Sequence, residues 1–192
     1  ASDVYKRQRL PYVKDSLNYY QQKFPKIKTS DKTFYIEKFK NFLFHSTDKE
    51  FAEEISNWVD IKNVIDWHII LLFSNNGDGT MKNFYLYKLN RATPFRFAIW
   101  DYDHSFGRDG DNERNLMERE LNCKNAILFE RLNNVLEIKY LNLLQKRWFE
   151  LRKLDVISLN NFKAHITEND KIINREIKAN AIKWPIDSKW YY

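Results

Sequence analysis

Apolar residues along this chain recur with two different periods, and the switch between them marks its centre. From Ile61 to Phe73 the positions Ile61, Val64, Ile65, His68, Ile69 and Leu72 recur at helical spacing, with Asp60 placed to cap the first turn. The stretch Ser74-Asn-Asn-Gly-Asp-Gly79 then supplies two glycines and polar turn formers, which end that helix and predict a loop carrying Asp78. Next come Phe84-Tyr-Leu-Tyr-Lys-Leu89 and Phe95-Arg-Phe-Ala-Ile-Trp100, rich in aromatic and branched residues, with Phe95, Phe97 and Ile99 alternating on one face of the second. Both read as strands. The short polar connection Asn90-Arg-Ala-Thr-Pro94 contains a proline that cannot donate to a ladder, so an antiparallel hairpin is the simplest topology. Pairing Leu89 with Phe95 sets Asn83 opposite Asp101 at the open end. A slip of one residue would keep them clustered, because side chains past the strand ends can still turn inward.

The flanks read as helical. Tyr12 to Phe24 predicts a helix stopped at Pro25, and Ser30-Asp-Lys-Thr-Phe34 is placed to cap another that runs to Phe44. Thr47-Asp-Lys-Glu50 has capping-box form ahead of a short helix through Ser56. Beyond the hairpin, Arg108 to Arg114 is polar and reads as a loop, either a solvated connection or a substrate-facing segment. Ala126 to Leu136, Lys139 to Leu151 and Leu159 to Ile182 predict three helices, the second with an apolar stripe of Leu141, Leu144, Trp148 and Leu151 that reads as core. The fold class is therefore α+β, mostly helical with a central β-hairpin.

Composition narrows the function classes. Aromatic residues make up 16% of the chain against only four glycines and four prolines, which argues for one folded domain with a sizeable core rather than disorder. The net charge of +6 is spread along the chain without a basic run or a Lys/Arg-aromatic array. No nucleic-acid partner is expected, while an acidic or nucleotide ligand is compatible. Cys123 is the single cysteine and forms no internal disulfide, so the compartment stays open. The apolar stretch from Ile61 to Phe73 is too short to be a transmembrane segment. Oligomeric state is not legible.

The hairpin would gather separated oxygen donors at one end, as a site for a divalent metal and nucleotide phosphates requires. Asp101, Asp103 and the Asn83 amide oxygen are hard donors suited to Mg²⁺ or Mn²⁺. A carboxylate such as Asp78 can orient an acceptor hydroxyl and take its proton, and a cation such as Lys82 could neutralise a phosphate. His104 reads as a hydrogen-bonding neighbour rather than a ligand. Each residue also has a plainer reading: Asp78 as a turn former, Asp101 and Asp103 as solvated strand ends, Lys82 as a surface charge. A calcium loop fails on spacing, because Asp101-x-Asp103 lacks the further oxygen ligands and the Glu at position twelve.

At these residues the chain resembles the spore-coat CotH kinase family, whose fold is a divergent protein-kinase-like one. The resemblance is carried by Asp60 ahead of the helix, Asn75-Asn-Gly-Asp78, Lys82-Asn-Phe-Tyr-Leu-Tyr87, Trp100-Asp-Tyr-Asp103 and Ser105-Phe-Gly107, and it runs loosely from Leu10 to Trp184. The interval from Asp78 to Asn83 also matches the D-x-x-x-x-N of a kinase catalytic loop. Two departures stand out: Gly77 sits where the family commonly has an aromatic, and there is no literal H-R-D or D-F-G. The resemblance implies a protein-kinase-like C-terminal lobe with Asp78 as the catalytic-loop Asp, Asn83 as a metal ligand, and Asp101 or Asp103 as the metal-binding Asp. It further implies ATP as co-substrate, Mg²⁺ or Mn²⁺ as cofactor, and a Ser/Thr-containing protein as acceptor. A secreted, cell-surface or spore-associated location follows the same resemblance. Some members act as surface ligands, so an adhesion module is the alternative, with a catalytically degenerate scaffold as a third reading.

The first eight residues, Ala1 to Gln8, resemble a translated sequencing-adapter scar and are set aside as non-native, leaving 9–192 as the C-terminal part of the kinase-like domain. No Gly-rich loop or V-A-I-K-like lysine precedes Asp78. The expectation is therefore a fragment lacking its nucleotide-gripping small lobe and inactive alone.

Overall fold

The computed structural model describes residues 4–7, 20–24, 34–107, 121, 126–135 and 138–185. Within them lie strands β1 (Val4–Arg7) and β2 (Tyr20–Phe24), helices α1 (Phe34–His45), α2 (Asp48–Trp58), α3 (Ile61–Ser74) and α4 (Asp78–Met81), strands β3 (Phe84–Tyr87) and β4 (Arg96–Ile99), then helices α5 (Ile127–Asn134), α6 (Tyr140–Lys153) and α7 (Leu159–Lys183). The α+β, mostly helical class and the central hairpin are as the hydrophobic pattern predicts. The segments Ser30 to Thr33 and Arg108 to Arg114 lie outside the described residues, and so does the proposed helix from Tyr12 up to Tyr19.

Local signals account for the helix starts. The Thr47 hydroxyl accepts from Glu50 N while the Glu50 carboxylate accepts from Thr47 N at 2.8 Å, a complete capping box for α2. Asp60 Oδ1 accepts from Asn63 N at 3.1 Å and caps α3.

One antiparallel sheet has the order β2-β1-β3-β4. The helix expected up to Phe24 is thus corrected at its end: Tyr20–Phe24 is a strand, paired with Val4–Arg7 from the stretch set aside at the amino terminus. Proline at 25 disfavours helical backbone at Phe24, and a partner strand offers the extended segment its hydrogen bonds. The hairpin register is also corrected. Phe84 pairs with Ile99 and Tyr87 with Arg96, so Asn83 faces Trp100 rather than Asp101.

The outer edge of β4 is closed by the junction of α2 and α3. Phe95 N donates to Trp58 O at 2.7 Å, and Asp60 N donates to Phe95 O at 2.9 Å. One turn on, the Asn63 side chain acts as a surrogate strand, its Oδ1 accepting from Phe97 N at 2.6 Å and its Nδ2 donating to Phe97 O at 3.1 Å. An otherwise open sheet edge is thereby satisfied.

Trp67 of α3 stacks on Phe97 with centroids 4.1 Å apart, and its other neighbours are Phe84 and Phe129, each at 5.0 Å. This aromatic stack joins the sheet to α3 and α5. Two expected core positions are instead exposed, Leu72 at 45% and Leu141 at 59%, and so is Ile99 at 49%, though it alternates with buried Phe95 and Phe97. On α3 the buried face shifts to include Trp67 and Leu71, and on α6 Tyr140 is the fully buried residue, because packing partners rather than spacing select the inward face. Arg131 of α5 fastens the α1–α2 corner, donating to Leu43 O, Ser46 Oγ and Thr47 O and lying 4.1 Å over the Phe51 ring.

Candidate functional site

The site begins where α3 ends. Asn75 takes a left-handed conformation (φ 49°), which asparagine tolerates better than most residues, and this reverses the chain. Asn76 follows, wholly buried, with Oδ1 accepting from Gly79 N at 2.7 Å and Nδ2 donating to Ser105 Oγ at 3.0 Å. Its side chain thus stands in for a helix cap, and Asp78 opens the one-turn helix α4 instead of lying on an open loop as the sequence implied. Lys82 N and Asn83 N both donate to Asp78 O, at 2.9 and 3.1 Å, closing that turn.

Asp78 and Lys82 form an ion pair, Oδ2 to Nζ 2.6 Å, with both side chains about a quarter exposed. Asn83 is buried, accepts Trp100 N–H on its carbonyl at 3.2 Å, and donates from Nδ2 to Asp101 O at 2.9 Å. Asp101 adopts φ 59°, a left-handed conformation that turns its carbonyl into this bond. Such a conformation in a non-glycine residue costs on the order of 1 kcal/mol and is held only when its surroundings impose it. Asp78, Asn83 and Asp101 are therefore strung on one continuous chain of hydrogen bonds at the open end of the hairpin, despite the one-residue slip in register.

Asp101 and Asp103 are exposed, and His104 Nε2 lies 3.4 Å from Asp103 Oδ2. Among the described residues no three His, Cys, Asp or Glu side chains converge on one metal position. The donor set still fits a hard divalent cation. Asp101 has no ion-pair partner among the described residues, and Asn83 spends its amide nitrogen on Asp101 O, which leaves the amide oxygen as a donor. One or two carboxylates and an amide, completed by phosphate and water, is the sparse protein coordination that Mg²⁺ takes at nucleotide sites.

Two residues to which the sequence gave no role prove to hold this arrangement. Asn76 ties the Asp78 turn to Ser105, and Tyr102 points inward from between the two exposed aspartates to pack against the core. Burial pushes the Tyr102 phenol up to about 12, so it stays neutral. Its hydroxyl faces the Trp67 indole N–H, yet the geometry falls short of a hydrogen bond and neither group has a partner among the described residues. The available signal was modest: an Asn three residues before a Gly, the spacing of an N-cap to its third turn position. Phe106 N donates to Ser74 O at 2.6 Å, a further tie between the end of α3 and the segment after Asp103.

The fold and site define an α+β, mostly helical domain with Asp78, Asn83 and Asp101 joined by hydrogen bonds at the open end of a β-hairpin. The chain belongs to the CotH kinase protein family, whose model matches residues 3–191. It is also similar to inner spore coat protein H of Bacillus subtilis (strain 168), with 31% identity over 87 residues, 45% of this chain and 24% of that protein. The matched segment thus spans about a quarter of the length of that curated relative.

Proposed function

We propose that this chain carries the acceptor-facing and metal-binding part of a protein kinase, on a kinase-like lobe, for transfer of the γ-phosphoryl group of ATP to a Ser or Thr hydroxyl of a protein. The observation behind the reading is the Asn83 side chain, whose bond to Asp101 O joins the Asp78 turn to the Asp101–Asp103 segment. Membership of the CotH kinase protein family supports the same class of chemistry.

Asn83, Asp101 and Asp103 would hold Mg²⁺ or Mn²⁺, which when bound neutralises phosphate charge. Asp78 orients the acceptor hydroxyl and takes its proton on a carboxylate oxygen. Lys82, now on Asp78 Oδ2, holds that carboxylate in place and offers a cation to the phosphate as the hydroxyl replaces it.

The test uses the whole protein as it occurs. Asp78→Ala removes a carboxylate and an ion pair whose side chains are about a quarter exposed and opens no core cavity, so the melting temperature should fall only modestly. Labelled-phosphate transfer from ATP should fall by about 10²–10⁴-fold. Undiminished transfer with folding intact would overturn the role of Asp78 and favour an adhesion module or an inactive scaffold.

A further inference from the structure

Asp78 sits on α4 and the exposed aspartates on the segment after β4, so any chemistry that uses both needs the two segments held at a fixed separation. Two ties run between them besides the Asn83 bond. The first is Asn76, bonded to Gly79 N on one side and to Ser105 Oγ on the other. The second is a packing contact. A methyl group built on Gly79 would stand 2.9 Å from Tyr102 Oη and 3.2 Å from Tyr102 Cζ, so only the missing side chain of Gly79 lets the tyrosine reach the backbone of α4. Leu71 Cδ2 crowds the same point from α3, and Leu71 is fully buried, so the tyrosine and the leucine meet over the bare Cα.

We infer that Tyr102 is a positioning residue, a strut that braces the Asp101–Asp103 segment against Gly79 and thereby sets the spacing between the Asp78 carboxylate and the metal-binding oxygens. This deepens the proposed phosphotransferase reading and rests on it for the function of that spacing. The strut itself stands on the contact. Tyr102 is half-buried between Asp101 and Asp103, both of which are exposed, so the ring is anchored inward where the two carboxylates face outward. The hydroxyl fits such a role: among the described residues it meets no hydrogen-bond partner, and its position is explained by filling the space above Gly79.

The experiment compares the 192-residue chain with Tyr102→Phe, Tyr102→Ala and Gly79→Ala. Backbone amide exchange is read at Gly79–Asn83 and at Asp101–Gly107, and Mn²⁺ affinity by electron paramagnetic resonance. In Tyr102→Ala, exchange should accelerate in both segments together while α5 keeps its protection, and the Mn²⁺ dissociation constant should rise about tenfold, as for loss of a group that orients metal ligands. Tyr102→Phe keeps the ring and should restore both properties. Gly79→Ala pushes from the opposite side and should alter exchange at Asp101–Asp103, although the substitution lies in α4; it also serves if Tyr102→Ala fails to fold. Parental exchange at Asp101–Asp103 in Gly79→Ala, or Tyr102→Phe behaving as Tyr102→Ala, would overturn the strut. Absence of Mn²⁺ binding by the parent would instead remove the metal reading, with the exchange measurements still deciding the strut.

Discussion

The Asn83 side chain has two chemically different ends. The nitrogen fixes the Asp101 carbonyl, and in the proposed reading the oxygen is the end left to a cation. Aspartate at this position would set a carboxylate against a carbonyl oxygen and lose the tie. The carboxylates of Asp101 and Asp103 lie two residues apart on the exposed side of the segment, and a cation that binds only the folded state stabilises it by mass action. Mg²⁺ or Mn²⁺ should therefore raise the melting temperature of the parent chain, and Asp101→Asn with Asp103→Asn should abolish that shift. Thermal denaturation with and without metal reads this directly. A double variant that responds as the parent does would place the cation elsewhere.

Between elements, the junction of α2, α3 and β4 shows how a helix can finish a sheet. Residues 58–60 run alongside Phe95, and Asn63 presents a side-chain amide to Phe97 in the geometry of a peptide group. Asn63→Ala would leave both backbone groups of Phe97 without their partner on that side. Losing two half-buried hydrogen bonds should lower the stability by about 2 kcal/mol, measurable by urea unfolding. Because β4 leads straight to Asp101, its amides should also lose protection from exchange in that variant. A stability within a few tenths of a kcal/mol of the parent would show that water replaces the asparagine. Much of this element level is legible along the chain: the capping box at Thr47, the cap at Asp60 and the turn after Phe73 each act within one helical turn. The Asn63 contact is not, since a polar residue in the first turn of a helix has no local mark of a partner 34 residues away.

At the scale of the whole molecule, His68 sits where α3, α5 and α6 meet, with its ring 4.2 Å from that of Phe129 and Nδ1 3.0 Å from Tyr140 Oη. Burial lowers its pKa from 6.5 to about 4, so it is neutral in the folded protein and takes up a proton more readily when unfolded. Its contribution is fully present above pH 6.5 and is lost as the pH falls from there towards 4. The loss is of order 3 kcal/mol at the acid end. Melting temperatures measured between pH 7 and 4.5 should fall more steeply for the parent than for His68→Gln, which has no ring to protonate; equal slopes would acquit the histidine. The sequence by itself determined the α+β class, the central hairpin, and the starts of α2 and α3. These depend on residues within a turn or two of one another, whose caps and periodicities act before any tertiary contact forms. Only the tertiary structure decided the hairpin register, the strand at Tyr20–Phe24, the exposure of Leu72, Ile99 and Leu141, the helical turn under Asp78 and the inward anchoring of Tyr102. Partners distant in sequence settle them: β1 for β2, Ser105 for the buried Asn76 that holds the turn, the bare Cα of Gly79 for the tyrosine. Hydrogen bonds and van der Waals contacts of that kind act over a few ångströms in space and leave no periodic trace along the chain.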